Sequence, residues 1–161
     1  MRLERRVLLV LAGTWLASFL LWVTPGLLRP DGVGCVTYLP STWFDGDLLF
    51  YDEWSRAGLM REGIVYFNAV TPNGHLANPW PSGSAMLWYP AFVLADVVRP
   101  WLAPSFARDG FSLPYNVAVI TASAFIGLMT LFAGAAVARR HAGEGATLAA
   151  ALAAWFGTPL L

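Results

Sequence analysis

The chain has 161 residues, 57% of them apolar and 12% charged, with ten arginines, no lysine and ten carboxylates, for a formal net charge of zero. That is half the charged fraction of roughly 25% usual in soluble domains, and the mean hydropathy of +0.56 rules out disorder and leaves too little polar surface for a water-exposed fold. The balanced charge argues against a nucleic-acid partner, and the single Cys35 excludes a disulfide-stapled domain.

Val7 to Leu28 is a 22-residue run without charge, long enough as a helix for the roughly 30 Å hydrocarbon core of a bilayer. Arg2, Arg5 and Arg6 against Glu4 precede it, which favours a cytoplasmic N-terminus. The competing reading is a cleaved signal peptide, whose apolar core is usually ~7–15 residues. Val7–Leu28 is longer, and Trp22, Pro25 and Leu27 do not form a small-residue cleavage site. A retained anchor is the favoured reading.

About fifty residues of different character follow, and six of the ten carboxylates fall between 31 and 62: Asp31, Asp45, Asp47, Asp52, Glu53 and Glu62. Only Arg56 and Arg61 oppose them there. Most connections need about 4–6 residues, and long loops on rigid scaffolds tend to carry function. The segment is also rich in rings, among them Tyr38, Trp43, Phe44, Phe50, Tyr51, Trp54, Tyr66 and Phe67, as expected at a membrane–water interface. Phe50, Trp54 and Ala57 recur at helical spacing, with Asp52 and Arg56 an i,i+4 pair facing elsewhere. The spacing predicts an interfacial amphipathic helix over 47–61. Thr71-Pro72-Asn73-Gly74 is a turn, and Asn78-Pro79-Trp80-Pro81-Ser82 leads into a helix starting near Pro81 or Ser82.

Ser84 to Val98 holds one charge, Asp96, and reaches span length only if it extends to Leu102. Tyr115 to Ala138 is 24 uncharged residues, and Ala146 to Leu161 is apolar. The chain stops inside that last segment, as the leading part of a longer membrane protein would. The expected fold is an all-α membrane protein with about four transmembrane or re-entrant helices. Its parts are an N-terminal segment and first span (1–29), an external acidic and aromatic loop (30–83) and further spans (84–161). Alternating spans place Arg139, Arg140 and His141 outside, against the positive-inside tendency. If they are cytoplasmic, Ser84–Val98 re-enters or lies along the surface. The first loop is external either way.

Two readings of Asp31 stand side by side. It is a charge or turn residue at the membrane boundary, or a carboxylate tuned by its surroundings to act as a general base. Asp45-Gly46-Asp47 reads as a turn and cap, with a hard divalent cation as the weaker alternative. Asp52 and Glu53 are adjacent and point about 100° apart on a helix, so they make no two-carboxylate site by themselves. Arg56 and Arg61 reach a lipid phosphate or simply face water. His75 and His141 lack partners at zinc spacing, and there is no phosphate-binding glycine loop. No residue demands a cofactor.

In order and spacing the chain resembles the front end of GT-C type membrane glycosyltransferases, the superfamily of protein mannosyltransferases and lipid A aminoarabinose transferases. The resemblance is carried by one span followed by Asp31-Gly32-Val33-Gly34, Tyr38-Leu39-Pro40-Ser41, Phe44-Asp45-Gly46-Asp47-Leu48, Asp52-Glu53-Trp54 and Asn78-Pro79-Trp80-Pro81-Ser82-Gly83-Ser84. Phe111-Ser112-Leu113-Pro114-Tyr115 and Gly157-Thr158-Pro159-Leu160-Leu161 add to it. The resemblance implies sugar transfer from a polyprenyl-phosphate donor to an acceptor on the non-cytoplasmic side. It makes Asp31 the base, with Asp47, Glu53, Arg56, Asn78 and Trp80 lining the substrate cavity and a divalent metal optional. Two departures stand out: Cys35-Val36-Thr37 occupies a place where the superfamily has an aromatic, and such enzymes have more spans than this chain. The resemblance therefore covers an N-terminal portion, and no turnover is expected from that portion alone. Absence of Lys with abundant Ala, Gly and Arg fits a GC-rich bacterial genome and hence an inner-membrane location. The alternative is a non-enzymatic multi-pass scaffold or assembly protein, for which Gly127, Gly134 and nearby alanines provide a small-residue face, or a transporter fragment, for which Asp96 is the candidate ionisable group.

Overall fold

The computed structural model describes residues 5–22, 30–58, 60 and 70–157. The elements are α1 (Arg5–Trp22), α2 (Pro30–Val36), α3 (Tyr38–Pro40), a π-helical turn (Ser41–Asp45), α4 (Tyr51–Arg56), α5 (Gly83–Leu102), α6 (Leu113–Ala138) and α7 (Glu144–Gly157). Among the described residues there is no strand, only an isolated antiparallel bridge between Val70 and Leu76 that closes the Thr71–Gly74 turn. The all-α expectation holds.

The long helices fall on the long apolar runs. Ser82 precedes α5, at the predicted start. Asp109 Oδ1 accepts the backbone N–H groups of Phe111 and Ser112, at 2.9 and 2.7 Å, and so fixes the approach to α6. At 26 residues α6 is the one helix, among the described residues, long and apolar enough to cross a membrane. The structure thus bears out the helical class, with one helix of spanning length and apolarity rather than about four among the described residues. α7 has 14 residues, about 21 Å at 1.5 Å per residue, and α5 carries Asp96 and Arg99 together with Pro90 and Pro100. The last six residues of the predicted first span, 23–28, lie outside the described residues.

The chain divides into two compact units, Met1–Thr24 with Thr121–Leu161, and Pro25–Ile120. In the first, Val7 and Leu11 of α1 pack with Leu131 and Ala135 of α6 and Ala151 and Trp155 of α7. The Trp15 indole N–H donates to the Ala124 carbonyl at 2.7 Å, and that of Trp155 to Ser18 Oγ at 3.1 Å. These two indole N–H groups thus find acceptors inside an apolar bundle. Large apolar side chains face outward nonetheless, Leu20 and Leu21 being 70% and 78% exposed.

In the second unit, Val36 and Leu39 meet Ala85, Phe92 and Ala95 of α5 and Tyr115 and Val119 of α6. Phe44, on the π turn, sits 5.8 Å from the Phe92 ring and 6.1 Å from that of Tyr115, with the Arg108 guanidinium 4.6 Å from its own centroid. A second cluster joins Phe50 and Trp54 to Tyr38, Leu76 and Trp80. This corrects the predicted helix over 47–61: α4 spans six residues, Tyr51–Arg56. Gly58, at φ +69, turns the chain out of helical geometry after it, and Asp47 to Leu49 are spent in a turn before it. Phe50 and Trp54 face a packed core rather than an interface.

Candidate functional site

The acidic segment is held by a short turn of backbone and side-chain bonds. Gly46, at φ +72, closes the π turn, and Asp47 N–H donates to the Ser41 carbonyl at 3.1 Å. Ser41 Oγ donates back to the Asp47 carbonyl at 3.0 Å and to its Oδ1 at 3.2 Å, and Leu49 N–H donates to the same Oδ1 at 3.0 Å. Asp47 is thus a turn-forming residue, as its Asp-Gly-Asp context indicated, although it locks the turn rather than capping α4.

That turn directs Asp45 toward α4. Asp52 and Glu53 occupy the first turn of α4 and Arg56 its last, the placement a helix dipole favours. Arg56 Nη2 lies 3.1 Å from Asp45 Oδ2, bonds Asp52 Oδ2 directly, and stands 4.0 Å from Glu53 Oε1. The predicted Asp52–Arg56 pair is present. Carboxylate oxygens of Asp45, Asp52 and Glu53 all lie within 4.8 Å of one another. Adjacency alone did not join Asp52 to Glu53; Asp45, folding back from the π turn, does.

Glu53 is fully buried. Among the described residues neither of its carboxylate oxygens receives a hydrogen bond from a donor. Removal from water is the largest force raising its proton affinity; the neighbouring carboxylates of Asp45 and Asp47 add to it, and the pKa is pushed up to about 8.

Beside this segment runs a groove of about 450 Å³. Ser82, Ala85, Met86 and Tyr89 form one wall, and their i, i+3, i+4, i+7 spacing puts them on one face of the Ser82–α5 segment. Tyr38, Leu39 and Thr42 form the facing wall with Leu48. The lining is mostly hydrocarbon, with four hydroxyl-bearing residues among it.

Asp31 lies in the first turn of α2 by its backbone; its side chain is outside the described residues, as are Arg61 and Glu62. Asn78 donates from Nδ2 to the Gly34 carbonyl at 2.9 Å and to Thr37 Oγ1 at 3.0 Å, while its Oδ1 accepts the Trp80 N–H at 3.1 Å. The Trp80 ring lies against Gly34, and its carbonyl accepts the Tyr38 hydroxyl at 2.8 Å. Both residues brace α2 and α3, and thereby one wall of the groove.

Sequence reasoning missed the Asp96 node. Asp96 accepts from Trp43 Nε1 at 2.9 Å, Tyr115 OH at 2.7 Å, and Arg108 Nε and Nη2 at 2.9 and 2.8 Å. Its partners lie 12 to 53 residues away, so no local spacing announces them. No family model, curated protein or solved structure matches the chain.

Proposed function

We propose that the chain is the N-terminal portion of a multi-pass membrane glycosyltransferase. In this reading it moves a sugar from a polyprenyl-phosphate donor to an acceptor on the non-cytoplasmic side, with Asp31 as base. The observation that supports it best is the groove of about 450 Å³ between the Tyr38–Thr42 segment and α5, hydrocarbon-lined and next in sequence to a carboxylate cluster. A polyprenyl chain has to stay among apolar groups while its phosphate–sugar head reaches water. The sugar–phosphate bond already carries the activation, so the protein has to position the acceptor and take its proton. Asp31 stands seven residues before Tyr38, about 10 Å along helical backbone, on the helix that Asn78 and Trp80 brace.

Outward-facing Leu20, Leu21, Met86 and Leu102, all at least 70% exposed, support further bilayer contact for α1 and α5 beside α6. An arginine-rich start supports a cytoplasmic N-terminus in a bacterial inner membrane. The test is transfer from a radiolabelled polyprenyl-phosphate sugar in membranes carrying the full-length protein. Asp31→Asn should lower transfer by roughly 100-fold or more with membrane insertion unchanged. Near-normal transfer would remove Asp31 from the mechanism.

One observation favours the scaffold reading: a notch of about 270 Å³ between α6 and α7 lined by Gly134, Ala135, Ala138, Ala150, Ala151 and Ala154, the small-residue surface on which membrane helices pack. Transport has less support, because Asp96 is held by Trp43, Arg108 and Tyr115.

A further inference from the structure

We propose that Asp45, Asp52 and Glu53 form a binding site for one hard divalent cation. The assignment does not require the transfer reading. Three carboxylates converge within 4.8 Å, and Arg56 is the cation that faces them. With all three carboxylates ionised, as a bound cation would require, one guanidinium leaves the group two negative charges in excess. An acidic cluster alone is commonplace; Glu53 sets this one apart. Its side chain is fully buried, it is aimed into the cluster, and neither oxygen meets a donor among the described residues. Arg56, at 4.0 Å from Oε1, is beyond hydrogen-bond reach.

A buried carboxylate without a partner is costly, and a carboxylate-only donor set selects hard cations over zinc or copper. Around one such ion at about 2.1–2.5 Å, coordinating oxygens stand roughly 3–5 Å apart. The observed spread already falls in that range, so small side-chain rotations suffice. The turn locked by Asp47 and Ser41 holds Asp45 in register with α4. Arg56 competes with the ion for the same oxygens.

The probe is Mn²⁺, followed by electron paramagnetic resonance on the full chain in detergent, with Ca²⁺ and Mg²⁺ as competitors. One Mn²⁺ per chain is expected, displaced by the competitors. Asp45→Asn, at an exposed position, and Glu53→Gln should each weaken binding at least ten-fold. Arg56→Gln should tighten it. Mn²⁺ should also raise the unfolding temperature of the unsubstituted chain and not that of the Asp45→Asn variant, a readout independent of sugar transfer. Absence of stoichiometric Mn²⁺, or equal binding by the Asp45→Asn variant, would overturn the site and leave Arg56 as the cluster's sole counter-ion.

Discussion

The indole of Trp80 covers Gly34 so closely that a β-carbon on Gly34 would clash with the ring carbons Cδ2, Cε3 and Cγ. Gly34 is therefore required for space rather than for backbone freedom, since it lies inside α2. Gly34→Ala is expected to cost about 1–3 kcal/mol through overpacking, read as a lowered unfolding temperature in detergent. Because Trp80 also holds Tyr38, the damage should spread to the groove wall. Shortening Trp80 to Leu in the same chain should restore part of the loss.

Glu53 makes stability pH-dependent in an unusual direction. Its folded-state pKa, about 8, stands above the ordinary 4.5, so its contribution is complete below pH 4.5 and is lost as pH rises through 8. Across that window the unsubstituted chain should lose a few kcal/mol, measured in metal-free buffer. Glu53→Gln keeps the shape without the charge and should flatten the profile, becoming the more stable form at pH 9.

At the Asp96 node, the two ends of the ion pair should behave differently. Asp96 is 7% exposed and Arg108 55%. Arg108→Gln leaves a buried carboxylate uncompensated, whereas Asp96→Asn leaves a guanidinium that water can reach. Both variants lower the unfolding temperature, and Arg108→Gln lowers it further; the reverse order would show that the charge is not what the node depends on.

The sidedness of the acidic segment is tested by labelling. Tyr51 is 66% exposed, so Tyr51→Cys in a Cys35→Ser background offers a single reactive thiol. An impermeant maleimide added outside intact cells should label it. Labelling only after the cytoplasmic face is opened would invert the topology.

Much of this was legible in the residues, and the boundary has a physical cause. Helices α5 and α6 follow from their apolar runs, α5 also from the prolines at its entry, and the Asp52–Arg56 pair from helical spacing. Asp47 reads as a turn residue because Asp-Gly is local chemistry. Asp45 meeting Glu53 depends on a left-handed Gly46 reversing the chain, and Asp96 meeting Trp43 depends on packing between elements 53 residues apart. The inward turn of Phe50 and Trp54 was missed for the same reason. Their partners Leu76 and Trp80 arrive from beyond the loop, and ring-rich composition alone does not distinguish a core from an interface.

Pro90 sits in the middle of α5, next to Tyr89 and one turn after Met86, both of which line the groove. It has no N–H to give the Met86 carbonyl, so one rung of the helix ladder is missing beside the cleft. Bending is cheapest at such a break. A change in the width of the cleft therefore meets its least resistance at this rung, beside the wall that Met86 and Tyr89 form.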